Sequence, residues 1–197
     1  MKKALGAMVA LALALPGAAQ QKNDEVVVDE AGGVSLQRPP KPAKGENLWK
    51  CQAEGRVFSN TKACVSHVMD DLSAEIIAQM PEEGKQWSEL KAIGKNVLDN
   101  WKENLKPKDG KEAQWKDFKP KTDEKAKFPA AGNAYYIEGQ IELPDGGKKE
   151  LREYIFIKND ILYRFVIMGF PGKFKEKERD MTFIMSAVKF FKPPKRK

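Results

Sequence analysis

Three consecutive runs in the C-terminal half constrain the fold of this 197-residue chain more than any other feature. From Ala134 to Leu143, Tyr135, Ile137, Gly139, Ile141 and Leu143 alternate with Tyr136, Glu138, Gln140 and Glu142, the period of a strand with one buried face. Pro144-Asp145-Gly146-Gly147 turns the chain into LREYIFIK, which is apolar on both faces at its centre. Asn159-Asp160 turns it again into ILYRFVIMG, the pattern of a central strand. Strands joined by turns this short pair antiparallel, so the half is a meander.

A partner for that sheet lies upstream. Trp87, Leu90, Ile93, Val97, Leu98 and Trp101 recur at steps of three and four, which predicts an amphipathic helix over about 86–105, ended by Pro107. Gly94 inside it marks a close approach to the sheet. Residues 48–58 read as a strand, turn and short strand, 62–69 as a better strand, and Leu72 to Met80 as a short helix capped by Asp70 or Asp71 and stopped by Pro81. Residues 106–127 are dense in charge and turn formers, broken by Trp115 and Phe118. After Phe170-Pro171-Gly172, the residues from Lys175 fit a helical stripe, or a helix that switches near Ser186 to a last extended segment. The expected class is α+β: an antiparallel sheet with a C-terminal-half meander, covered by helices.

The N-terminus bears on compartment. Met1-Lys2-Lys3, the apolar run Ala4 to Leu15 and small residues at Gly17 and Ala19 read as a signal peptide, residues 1–19, cleaved after Ala19. The apolar run is short for a membrane span, and no later stretch is apolar enough. The expectation is an exported protein, periplasmic or extracellular, that does not span the membrane. Residues 20–32 follow as a flexible arm, in which Glu25-Val26-Val27-Val28 reads as a strand or extended piece. A single domain over 33–191 and a basic tail over 192–197 complete the chain.

Removing residues 1–19 lowers the formal charge from +7 to +5, and Lys189, Lys192, Lys195, Arg196 and Lys197 sit together at the C-terminus. The basic character is thus concentrated in the tail, which argues against a specific nucleic-acid surface. Cys51 and Cys64, with twelve residues between them, are expected as a disulfide in an oxidising compartment, with two separately buried thiols as the alternative.

The order of these pieces resembles a known fold. A secretion signal, GVSLQRP leading to Trp49, a strand pair, the long helix, a meander carrying Tyr135, Tyr154 and Tyr163, and the closing FIMSAVKFF resemble the α/β/α sandwich of the PsbP-like superfamily. That sandwich is shared by the PsbP proteins of photosystem II, a nuclear Ran-binding factor and many exported bacterial proteins. The resemblance implies a scaffolding or binding module and lends no catalytic set and no metal site.

The residues point the same way. His67 is the only histidine, and its neighbour Ser66 falls on the opposite face of a strand, so imidazole-based catalysis has no partner there. No cofactor motif is present. Glu138 and Glu142 on one strand face are the carboxylate pair a hydrolase would use, and Asp70, Asp71 and Glu75 are a weak calcium candidate. The best binding patch is Trp115, Lys116, Phe118, Lys119, Lys121 and Tyr136, aromatics interleaved with lysines that suit an acidic or glycan-like partner. The expected function is a non-enzymatic binding or accessory module contacting an unknown protein or anionic polymer partner. The alternatives are a carboxylate-based hydrolase, or a carrier whose cavity is lined by Tyr135, Ile137, Phe156 and Trp101.

Overall fold

A computed structural model describes residues 26–40, 43–44, 49–53, 61–69 and 71–194. Residues 1–25, which include the segment read as a signal peptide, and residues 195–197 lie outside the described residues. In chain order the elements are β1 (Val26–Asp29), β2 (Val34–Gln37), β3 (Lys50–Ala53), β4 (Thr61–Met69), β5 (Leu72–Gln79) and α1 (Leu90–Glu103). There follow β6 (Asp117–Asp123), β7 (Lys127–Phe128), β8 (Gly132–Asn133), β9 (Tyr135–Glu142), β10 (Lys148–Lys158) and β11 (Ile161–Gly169). The closing elements are α2 (Lys173–Glu176), α3 (Glu178–Ala187) and β12 (Lys189–Phe190). β1 falls within the segment 20–32 and pairs with β2 from Val26↔Gln37 to Asp29↔Val34.

The expected meander is the core of a seven-stranded sheet in the order β3-β4-β5-β11-β10-β9-β6, antiparallel throughout. The turn between β10 and β11 places both Asn159 (φ 52°) and Asp160 (φ 62°) in the left-handed region, the two-residue hairpin geometry that matches strand twist. Two short sheets accompany it: β1-β2-β12, and the hairpin β7-β8.

Period-two burial divides the large sheet into two packed faces. On one, α1 lays Ile93, Gly94, Val97 and Trp101 over Tyr135, Ile137, Ile141, Leu151 and Ile155. Gly94 does mark a close approach: a Cβ there would lie 2.2 Å from the Tyr135 ring. On the other face, Leu72, Ala74, Ile76, Phe156, Tyr163 and Phe165 pack with Val34 and Leu36 of β2, Phe174 of α2 and Met181 and Ile184 of α3. The closing segment is therefore helix through Ala187 and strand from Lys189.

Two expectations are corrected. Leu72 to Met80 is not a helix; it is β5, inserted between β4 and β11, with Leu72, Ala74, Ile76 and Ala78 buried in strict alternation. Alanine, glutamate and leucine favour a helix locally, and central pairing on both edges overrides that preference. The Cys51–Cys64 disulfide is also overturned. Antiparallel register sets Cys51 opposite His67, leaving Cys64 three residues away along β4. At about 3.4 Å per residue and about 4.8 Å between strands, the two Cα atoms are roughly 11 Å apart, beyond the ~7 Å a disulfide can bridge.

Candidate functional site

The helices do not cover the whole sheet. β6 is its edge strand, a position that tolerates Pro120 because one side of the backbone has no strand partner. Register sets Lys121 of β6 and Arg152 of β10 on either side of Glu138 of β9, and Asp123 and Tyr154 on either side of Tyr136. These side chains belong to the face opposite α1, beyond the part closed by α2, α3 and the small sheet.

The floor there is a pair of half-buried tyrosines. The Tyr136 and Tyr154 rings lie 4.6 Å apart, tilted by 38°. Tyr154 meets Phe128 of the β7-β8 hairpin edge-on at 5.6 Å, and Phe128 stacks on Phe156 at 4.6 Å, so the tyrosines are the open end of a ladder that runs into the core. The Tyr136 hydroxyl donates to Glu138 Oε2 at 2.8 Å. Burial, then the bond to Glu138, raises the Tyr136 phenol far above its ordinary range, and burial also raises Tyr154. Both are neutral hydrogen-bonding groups at physiological pH. The Arg152 guanidinium lies 4.9 Å from the Phe174 ring centre, a cation–π contact that fixes its position. Neither Arg152 nor Lys121 forms an ion pair among the described residues, and the Tyr154 hydroxyl makes no hydrogen bond among them.

The six residues expected as one patch are divided by the sheet. Trp115 and Phe118 are 8% and 6% exposed and lie in the core under α1, with ring centres 6.0 and 6.3 Å from Trp101. Lys116 pairs with Glu142 at 2.9 Å, and their hydrogen bond draws the lysine up and the carboxylate down from their ordinary ranges. Lys119 pairs with Asp117 at 3.2 Å. Lys119, Lys121 and Tyr136 share the open face. Sequence reading missed Tyr154 and Arg152, whose signal is the even-numbered alternation of LREYIFIK against Leu151, Glu153 and Ile155.

Other candidates separate in the same way. Glu138 and Glu142 are four residues apart on one strand, and their carboxylates are engaged separately. One holds Tyr136 and the other Lys116. The cavity proposed for a carrier cannot form as drawn, because Tyr135, Ile137 and Trp101 belong to the α1 face and Phe156 to the other. His67 falls in β4, and its side chain and Asp70 lie outside the described residues; Asp71 approaches Lys173 at 3.4 Å. Among the described residues no group of three or more His, Cys, Asp or Glu is placed to hold a metal ion. No helix among them is long and apolar enough to cross a membrane.

One buried charge was not anticipated. Glu153 is 0% exposed beneath α1, its Oε2 accepting from Trp101 Nε1 at 2.6 Å and its Oε1 from Arg164 Nε at 2.5 Å.

An antiparallel sheet with α1 on one face and α2 and α3 on the other is an α/β/α sandwich, the class expected from the sequence. No protein-family model matches the chain, and no curated protein matches it by sequence. Among solved structures it is similar to cyanobacterial PsbP (CyanoP) from Synechocystis, with 8% identity over 90% of this chain and 99% of that one and a TM-score of 0.48. It is also similar to PA94 from Pseudomonas aeruginosa, a protein of unknown function, with 11% identity over 75% of this chain and 99% of that one, TM-score 0.41. A third is LpqN of Mycobacterium tuberculosis, involved in cell envelope biogenesis, with 8% identity over 82% and 86% of the two chains, TM-score 0.40. These likenesses concern the fold alone.

Proposed function

We propose that this chain is an exported, non-enzymatic accessory module that contacts a protein partner through the tyrosine shelf of β9 and β10. The observation that carries this reading is the half-buried Tyr136–Tyr154 pair, left open beside Arg152 at the border of the part closed by Phe128, α2 and α3. Tyrosine and arginine held rigid by their own packing supply contact area at little entropic cost, which is why they dominate the energetic centres of protein interfaces. The signal-peptide reading supports a partner outside the cytoplasm.

The test is site-specific photo-crosslinking in a host that exports the protein. A photoreactive side chain at Gln140, exposed on the shelf, should yield a discrete adduct, and the same group at Lys95, exposed on α1, should not. Identical products from both positions, or none from Gln140, would remove the shelf as the contact surface. Mass measurement of the recovered chain checks export independently: a first residue of Gln20 is expected, and an uncleaved N-terminus would overturn it.

A further inference from the structure

We infer that β1 is a strand-addition edge. It takes up an extended segment of another protein, with aliphatic residues at its centre and lysine or arginine on either flank. This surface is separate from the tyrosine shelf and does not depend on it. Among the described residues the exposed large apolar side chains are Val26, Val28 and Phe170, and two of the three stand on this one four-residue strand. β1 is the outer strand of β1-β2-β12, so one side of its backbone has no strand partner among the described residues. Val27 packs against the core where β1 lies over β3 and β4, which turns Val26 and Val28 outward.

The edges of the two sheets are built differently. β6 carries Pro120 between Lys119 and Lys121, the charges and missing donor that discourage pairing with another chain. β1 reads Val-Val-Val-Asp and has no charge or proline before its last residue. An open edge of β-branched residues is suited to strand addition, in which backbone bonds give affinity and alternate side chains give selectivity.

Charge selects the occupant. Residues 20–30 hold Asp24, Glu25, Asp29 and Glu30 against Lys22 and, after cleavage, the terminal amine, in a chain that is otherwise basic. Asp29 is fixed by the bond it accepts from the Gly32 N–H, and Glu30 is exposed. The basic residues of adjoining elements are placed elsewhere. Arg38 donates to the Trp49 carbonyl, and Lys50 shares the opposite face of the large sheet with Ser73. Lys189 and Lys192, on β12 and just past it, lie across β2. A second copy is the wrong occupant. The antiparallel register that sets Val26 against Val28 of the copy also sets Asp29 against its Glu25, like charges directly opposed. Basic flanks on the incoming strand turn that repulsion into attraction.

The probe is the peptide Lys-Lys-Val-Thr-Val-Thr-Val-Lys-Lys, titrated into the 15N-labelled full chain and followed by amide shifts and hydrogen exchange. Shifts centred on Val26 to Asp29, with slowed exchange there, are expected. Proline at the central valine keeps the charge and breaks the strand, and should weaken binding about tenfold. Glutamate in place of every lysine should weaken it by about as much or more. Val28→Lys puts a charge on the exposed edge without touching the core and should also weaken binding about tenfold. Equal binding of the proline peptide would overturn strand addition, and equal binding of the glutamate peptide would overturn the basic occupant. No binding of the first peptide, or shifts confined to the tyrosine shelf, would remove β1 as the site. Sedimentation equilibrium tests the second copy: no self-association through this edge is expected, and a dimer that Val28→Lys dissociates would overturn the choice of partner.

Discussion

The two faces of the seven-stranded sheet are closed by different means. The α1 face is covered by one helix and contains a charge: Glu153, fully buried, receives the Trp101 indole from α1 and the Arg164 guanidinium from β11. The opposite face is covered by several pieces far apart in sequence, β2, Phe128, α2 and α3, and is filled by a continuous run of rings from Tyr154 through Phe128 and Phe156 to Tyr163 and Phe190. The contrast teaches how differently the two covers are held. A single helix on a broad sheet can slide or tilt with little change in apolar area. A directional bond from its last turn to a strand fixes its angle. Covers that come from many parts of the chain constrain one another, and single bonds, Trp49 Nε1 to Asp180 of α3 and the Tyr163 hydroxyl to Gly32, only add to that.

The comparison breaks first at Glu153. Glu153→Ala leaves a partly buried guanidinium and a buried indole N–H without their acceptor, which should cost about 3 kcal/mol in denaturant unfolding. Glu153→Gln keeps an acceptor for Trp101 and should cost less. Hydrogen exchange distinguishes a lock on α1 from general damage: amides of residues 90–103 should lose protection in Glu153→Ala before those of β5 and β11. Uniform loss across the sheet would refute the lock. The matching substitution on the other face is Phe128→Ala, expected to cost about 3 kcal/mol. It sits at the low end of its class because the two-residue strands β7 and β8 can settle into the space. A cost below about 1 kcal/mol would mean the ring ladder is decoration.

Gly94→Ala sharpens the α1 side. Alanine would favour the helix by about 1 kcal/mol in an open position. Here the added Cβ meets the Tyr135 ring at 2.2 Å, and that ring is itself buried. The overlap should win, for a net loss of about 1–2 kcal/mol. A stabilised variant would show that α1 rides higher on the sheet than described.

Much of this contrast was legible in the sequence, and the gaps have physical causes. The meander and α1 were readable because their apolar periods are long and unbroken, and Gly94 stood out inside a strong helical stripe. β5 was not, since LSAEIIAQ satisfies a helical and an alternating pattern together and only its neighbours decide. The six-residue patch was split because charges between Trp115 and Phe118 suggested exposure, when an edge strand can turn one aromatic inward between solvated lysines. Glu153 was within reach. The Asn159-Asp160 turn sets the register of β10 and β11 and makes Glu153 and Arg164 diagonal neighbours, opposite charges each embedded in an apolar strand. The tyrosine shelf was only half legible: Tyr136 could be named, but its partners depend on which strand lies beside β9 and on where the covering helices stop.

The smallest expected effect lies where the ring ladder meets the N-terminal strands. The Tyr163 hydroxyl donates to the Gly32 carbonyl at 2.7 Å, tying β11 to the turn between β1 and β2. Tyr163→Phe keeps the ring and loses the bond, which should cost about 1 kcal/mol at neutral pH. Burial raises the Tyr163 phenol well above its ordinary value of 10.0, with Asp29 adding to the effect. A raised pKa means the fold favours the protonated phenol. That contribution is whole below the ordinary value and drains away as pH climbs from there towards the raised one. Phenylalanine cannot ionise, so the advantage of the original chain over Tyr163→Phe should hold steady up to about pH 10 and narrow above it. The other tyrosines and the lysines titrate in both proteins and cancel in the difference. A gap that stays constant through alkaline pH would mean the hydroxyl is already open to water, and that the β1-β2 turn is held by its backbone contacts alone.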